Sequence, residues 1–140
     1  MIVFLLPLLV IFTCSIPMLY NNARLLIFSL PFLRYPLPPQ TIFRSLEMEA
    51  GMMGGAGNHC SFLATMHLRT SLTQQAIRNY YSGVAFPTVG TDSGAAAIDG
   101  LKGAVSVSVT FDPSDSQYVR VSLYDGIYRG GLQMYDPRCN

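Results

Sequence analysis

The clearest pattern in the chain is strict alternation over residues 60–70, CSFLATMHLRT. Every second position is apolar, and polar side chains lie between them at Ser61, Thr65, His67 and Arg69. A period of two over this length is typical of a strand with one buried face. Residues 41–51 also alternate, with Leu46 and Met48 on one face, so the glycine-rich loop at 51–58 is predicted to close a hairpin.

The period changes after residue 70, in SLTQQAIRNYYSG. Ser71 and Gln74 have the spacing of a capping box, and Gly83 is well placed to end a helix. An amphipathic helix is therefore expected here, followed by a long irregular loop. Its core-facing side chains are predicted to be Leu72, Ala76 and Tyr80, with Ile77 beside them.

Two more alternating segments, AVSVSVTF at 104–111 and QYVRVSLYDG at 117–126, predict strands joined by a DPSDS turn. The fold class is therefore α+β: a ββαββ domain in which one helix packs on the apolar face of an antiparallel sheet. The predicted sheet core consists of Phe62, Met66, Leu68, Val107, Val109, Val121 and Leu123.

The first twenty residues carry no charged side chain, and that is about the length needed to cross a bilayer core. No Lys or Arg precedes the run and no Ala-x-Ala follows it, which favours a retained transmembrane helix over a cleaved signal peptide. A buried core helix is the third interpretation. The expected organisation is a transmembrane and interfacial anchor at 1–34, a proline-rich spacer at 35–40 and an extramembrane domain at 41–140.

The charge distribution favours no polyanionic partner. The net charge is +1, and residues 41–140 carry seven basic and eight acidic side chains without a basic stripe. Nucleic acid is therefore not an expected partner. The expected partners are the lipid bilayer and other membrane-protein subunits, and a small-molecule ligand stays open.

His59, Cys60 and His67 are the candidates for metal binding or cysteine catalysis. Adjacent strand residues face opposite sides, so the side chains of His59 and Cys60 diverge. The chain has no second pair of ligands at zinc spacing, and no base is placed beside the cysteine. No helix directly follows the GGAGN loop to receive a phosphate. We therefore predict no catalytic, cofactor-binding or metal-binding residue, and expect that the protein is not an enzyme.

Cys14 lies in the apolar N-terminal run, which leaves Cys60 and Cys139 as the candidate disulfide pair. Such bonds persist in oxidising compartments, so the pairing favours an extracytoplasmic domain. Two unconnected thiols are the alternative. Arg24 and Arg34 follow the apolar run, and by the positive-inside rule they favour a cytoplasmic domain instead.

The segment GAGNHCSFLATMHLRTSLTQQAIRNYY, together with YDPRC near the C-terminus, resembles a group of small bacterial proteins of unknown function. These proteins share a hydrophobic N-terminus, a Gly-Asn-His-Cys strand start and a C-terminal Asp-x-Arg-Cys. The resemblance implies a membrane-anchored or secreted domain and brings no activity with it. The N-terminus of this chain differs from the group because it lacks the usual basic start.

A bridge between residues 60 and 139 would gather polar side chains into a candidate interface or ligand cluster. Its expected members are His59, Tyr124, Asp125, Tyr128, Tyr135, Asp136 and Arg138. The alternative is that Asp136 and Arg138 only cap and pair with the backbone of the tail.

These features favour a non-catalytic, single-pass accessory subunit of a larger membrane complex, for example a photosynthetic or respiratory one. The first alternative is a free-standing, membrane-anchored extracytoplasmic binding module. The second is a secreted domain with a cleaved signal peptide.

Overall fold

The computed structural model describes residues 2–53, 60–82, 84, 106–126 and 135–139. The described helices are α1 (Ile2–Arg34) and α2 (Gln74–Ser82), and a short 3-10 turn spans Pro137–Cys139. The strands are β1 (Thr41–Gly51), β2 (Ser61–Thr70), β3 (Ser106–Phe111) and β4 (Tyr118–Asp125).

The four strands form one antiparallel sheet in the order β1-β2-β4-β3. β1 and β2 pair as a hairpin, from Thr41 opposite Thr70 to Gly51 opposite Ser61. β3 and β4 form a second hairpin, and at its turn the Asp112 carboxylate accepts the Ser114 N–H at 2.8 Å. The α+β class and the antiparallel sheet predicted from the alternation are therefore confirmed.

The predicted face of β2 is also confirmed. Its core side carries Phe62, Ala64, Met66 and Leu68, each at most 2% exposed, and Cys60 just before the strand is buried as well. Val121 and Leu123 of β4 are fully buried beside them. Val107 and Val109 pack against the core as predicted but are only half-buried. Among the described strands, β3 lies at an edge of the sheet and has a neighbour on one side only.

The core-facing side of α2 differs from the prediction by one residue. Ile77 and Tyr81 are fully buried, whereas Leu72, Ala76 and Tyr80 are half-buried. The reason is the cap: the Thr73 hydroxyl accepts the Ala76 N–H at 3.3 Å, while the Ser71 hydroxyl donates to the Gln40 side chain at 2.9 Å. The helix therefore starts later than a Ser71 cap would set it.

The second half of α1 belongs to the core. Leu25, Phe28 and Phe32 are at most 6% exposed, and the Phe28 ring lies 6.0 Å from the ring of Phe62 on β2. Part of the segment that the sequence assigned to the anchor thus covers the sheet. Within the described part of the chain, no helix combines the length and the apolar character needed to cross a bilayer.

The proline-rich spacer is attached to the rest of the domain at both ends. The Tyr80 hydroxyl donates to the Pro36 carbonyl at 2.9 Å, and Tyr35 packs edge-on against the Tyr80 ring. Gln40 adopts a left-handed backbone (φ 56°), and its carbonyl accepts the Ser71 N–H at 3.3 Å. The path from α1 into β1 is therefore fixed by hydrogen bonds from Tyr80 on α2 and from Ser71, just after β2.

We predict that Phe28→Ala destabilises the domain by about 3–5 kcal/mol, because it leaves a cavity between α1 and the sheet. The matched control is Ile27→Ala, since Ile27 is 54% exposed and its truncation should change stability by less than about 0.5 kcal/mol. Denaturant unfolding of the full chain in mild detergent measures both. Equal losses in the two variants would show that α1 does not pack on the sheet as described.

Candidate functional site

The C-terminal tail meets α1 and the start of β2 at one buried polar cluster. We call it the C-terminal clasp; its members are Asn21, Cys60, Asp136, Arg138 and Cys139. The Sγ atoms of Cys60 and Cys139 are bonded to each other, as predicted. Asn21, Asp136 and both cysteines are at most 1% exposed.

The Asp136 carboxylate is the centre of the clasp. Its Oδ2 accepts hydrogen bonds from Asn21 Nδ2 at 2.8 Å and from Arg138 Nη2 at 2.7 Å. Its Oδ1 accepts the Arg138 backbone N–H and Nε, each at 3.0 Å. This buried charge therefore has a counter-ion and donors on both oxygens, which is the condition for tolerating it away from water.

Two opposing effects set the charge state of Asp136. Burial alone would raise the pKa of the carboxyl, but the hydrogen bonds from Arg138 and Asn21 and the guanidinium charge outweigh it, and the net pKa is lowered. The same hydrogen bond to Asp136 raises the pKa of Arg138 above its usual value. Both groups are consequently ionised at neutral pH.

Arg138 also joins the tail to two other elements. Its Nη1 donates to the Asn22 side chain at 2.9 Å, and Nη2 lies 3.4 Å from the Met18 carbonyl on α1. Its own carbonyl accepts the Met52 N–H, just after β1, at 2.9 Å. The clasp thus connects α1, the β1–β2 hairpin and the C-terminus.

The chemistry of the clasp is structural. The sulfur atoms of Cys60 and Cys139 and an Asp136 oxygen lie within 4.8 Å of one another, which is a spacing that a metal ion could use. The sulfurs are bonded to each other, however, and thiolates are the form that binds metal. Both oxygens of Asp136 are already occupied by Asn21 and Arg138. The disulfide closes a loop of about 80 residues, and the chain-entropy model gives it roughly 4 kcal/mol of stabilisation against unfolding.

The structure describes three other members of the predicted cluster, Tyr124, Asp125 and Tyr135. Tyr124 is on the face of β4 that points away from the core. Its hydroxyl donates to the Met53 carbonyl at 2.9 Å and lies 3.1 Å from Ser61 Oγ. Asp125 is buried at the end of β4, and Tyr135 is 72% exposed. His59 and Tyr128 lie outside the described residues.

A second polar group lies on the outer face of the sheet, across three strands. His67 Nε2 is 3.2 Å from a Glu47 carboxylate oxygen, and His67 Nδ1 hydrogen-bonds the Tyr118 hydroxyl. A histidine between a carboxylate and a phenol has the partners of an acid–base group. The groove beside it, about 300 Å³ in volume, is instead lined by Glu47, Met48, Glu49, Leu63 and Thr65. His67 therefore links the strands without opening onto that groove.

The residue that sequence reasoning missed is Asn21. A lone amide in an apolar helix gives no indication of its partner, and Asp136 lies 115 positions away. The Glu47–His67–Tyr118 group was missed because it depends on the pairing register of three strands. His67 was correctly predicted to face away from Cys60.

Comparison with known proteins gives no independent indication of function. The chain matches no protein-family model, no curated protein and no solved structure.

We predict that Asn21→Ala lowers the free energy of unfolding by about 1–3 kcal/mol, because Asp136 loses a donor in a buried site. Gln74→Ala is the control: Gln74 is an exposed amide at the start of α2, away from the clasp, and its loss should cost less than about 0.5 kcal/mol. Thermal melting of both variants tests the difference. Indistinguishable melting temperatures would contradict the assignment of Asn21 to the clasp.

We also predict acid lability that depends on Asp136. Its folded pKa is below the unfolded value of about 3.9, so its contribution is complete above that pH and is lost as pH falls through the folded pKa. Asp136→Asn should therefore be less stable than the parent protein at pH 7, and the gap should narrow between pH 4 and pH 2. Urea midpoints across this range measure it. A gap that does not change with pH would contradict the prediction.

Proposed function

We propose that the protein is a non-catalytic, single-pass accessory subunit of a larger membrane protein complex, held there through the outer face of α1. The observation that carries this proposal is an exposed apolar stripe on that face. Its members, each 49–66% exposed, are Ile16, Leu19, Leu26 and Ile27.

This outer stripe lies opposite the face of α1 that packs on the sheet. At 100° per residue, positions 16, 19, 23, 26 and 27 share one side, while 21, 25, 28 and 32 share the other. A surface helix of a soluble domain normally has a polar outer face. Contiguous exposed apolar side chains instead mark a protein or membrane interface.

The stripe continues in sequence into the charge-free N-terminal run. α1 extends without a break from Ile2 to Arg34, so both features are on one helix. Arg24 donates to the Tyr20 hydroxyl at 2.8 Å and lies 5.5 Å from the centre of its ring. A cation paired with an amphipathic ring at the end of an apolar run suits the membrane–water interface. These features support a partner made of lipid tails and apolar helices.

The disulfide supports an extracytoplasmic position for the domain, because such bonds persist in oxidising compartments. The resemblance to anchored or secreted bacterial proteins is consistent with this side of the membrane. A photosynthetic or respiratory assembly is an example of the proposed host. The ββαββ arrangement behind a transmembrane helix is part of the same proposal.

The two alternatives use the same residues differently. A free-standing anchored module would place the α1 stripe in lipid alone. A secreted domain would lose residues 1–20 but keep Leu25, Phe28 and Phe32, so its core could persist after cleavage. The length of the mature chain and the neighbours of the stripe therefore separate the three functions.

The test is photo-crosslinking from residues 19 and 26 in native membranes, with Gln75 on the exposed side of α2 as the control position. We expect crosslinks from α1 to other membrane-protein subunits, and comigration with a large complex on native gels in mild detergent. The double variant Leu19→Gln/Leu26→Gln should lose comigration, while Met52→Gln, also exposed and apolar, should keep it.

Two results would overturn the proposal. Crosslinks to lipid only, with migration as a free monomer, would favour the anchored module. An intact mass that places the mature N-terminus near residue 21 would favour the secreted domain.

A further inference from the structure

Among the described residues, β1 lies at one edge of the sheet. This strand spans Thr41–Gly51, eleven residues, and within the described part of the chain its only strand neighbour is β2. Every second residue of an edge strand directs its N–H and C=O away from the sheet. Such an edge is a template for pairing with another extended segment.

Several side chains along this edge are apolar and exposed. Ile42, Phe43 and Met48 are 60%, 43% and 44% exposed. The pairing register shifts between Phe43 and Ser45, so the first residues of β1 are offset from the rest. Ala50 and Gly51 are buried, and the Arg138 carbonyl of the tail accepts the Met52 N–H just beyond them. The regular stretch available for pairing is therefore Ser45–Glu49.

The charges in this stretch disfavour a second copy of the chain. Glu47 and Glu49 both face the outer side of the sheet, because they pair with Thr65 and Leu63 on β2. Antiparallel self-pairing centred on Glu47 puts two copies of Glu47 opposite each other. Centring it on Met48 puts Glu47 opposite Glu49. Like charges directly opposite one another destabilise strand pairing.

The same two carboxylates border the outer-face groove of about 300 Å³. Leu63 and Thr65 also line it. Glu47 lies 3.2 Å from His67 Nε2, and no described Arg or Lys lies within ion-pair distance of either glutamate. A long basic side chain fits this geometry: its aliphatic stem can lie on Leu63 while its cation meets the carboxylates. The backbone edge would bind any extended segment, and the groove would favour segments that carry a basic side chain.

We propose that β1 binds an extended segment of a partner protein as an added antiparallel strand. The segment carries Lys or Arg at alternate positions facing Glu47 and Glu49, with an apolar residue between them facing Met48. Residues two apart in a strand are about 6.7 Å apart on the same face, so cations at i and i+2 match the two glutamates. This surface is separate from the α1 stripe, and the proposal does not depend on the membrane function.

The probe is a nine-residue peptide of alternating Lys and Val with blocked ends, added to the full chain in mild detergent. We expect saturable binding and slowed hydrogen exchange of amides within residues 45–49. The double variant Glu47→Gln/Glu49→Gln should weaken binding about tenfold or more, since it removes two charge-assisted contacts. Asp115→Asn, which removes a carboxylate from the exposed turn before β4, should bind as the parent protein does.

A second peptide separates strand addition from simple charge attraction. It has the same sequence but is N-methylated at alternate residues, so it keeps its charges and cannot complete a ladder on one edge. It should bind at least tenfold more weakly. Equal affinity of the two peptides, equal affinity of the parent protein and a folded double variant, or protection outside β1 would each overturn the proposal.

Discussion

The apolar face of the sheet is too large for α2 alone to cover. The rest of the structure depends on which other element covers the remaining area. α2 has nine residues and is about 13 Å long, whereas β1 extends over about 37 Å. α2 packs beside β3, and α1 packs on β1 and β2. The helix that carries the exposed apolar stripe is therefore also a core element. Its direction relative to the sheet is set by Leu25, Phe28 and Phe32.

The clasp fastens this arrangement at the end of the sheet where Cys60 precedes β2. A buried ion pair by itself contributes little, because removing two charges from water costs about as much as their attraction returns. Here Asp136 receives donors on both oxygens, and Arg138 reaches α1 as well as the carboxylate. The value of such a network lies in its specificity: a displaced α1 or tail would leave a buried carboxylate with too few donors.

The parts of the fold that rest on local periodicity could be predicted from the sequence. Alternation placed Phe62 and Met66 on the core face and His67 on the opposite face, because a strand has only two faces. It did not predict that Ser61, Thr65 and His67 on that opposite face are buried too. The phase of α2 could not be predicted as well, since Ser71 and Thr73 are both credible caps and only contact with Gln40 decides between them. The core role of Phe28 was missed because an apolar helix residue has the same pattern against lipid or against a sheet. Asn21 depends on a partner that no local pattern reveals.

The disulfide also determines how the chain would respond to mechanical load. Cys60 and Cys139 are 79 positions apart, so a pull on the two ends of the chain bypasses everything between them. At about 3.4 Å per extended residue, roughly 270 Å of contour length is withheld from the force. The load would pass from α1 through the β1–β2 turn into the covalent bond. β2, α2, β3 and β4 would stay out of the tension path while the N-terminal part of the chain was stretched.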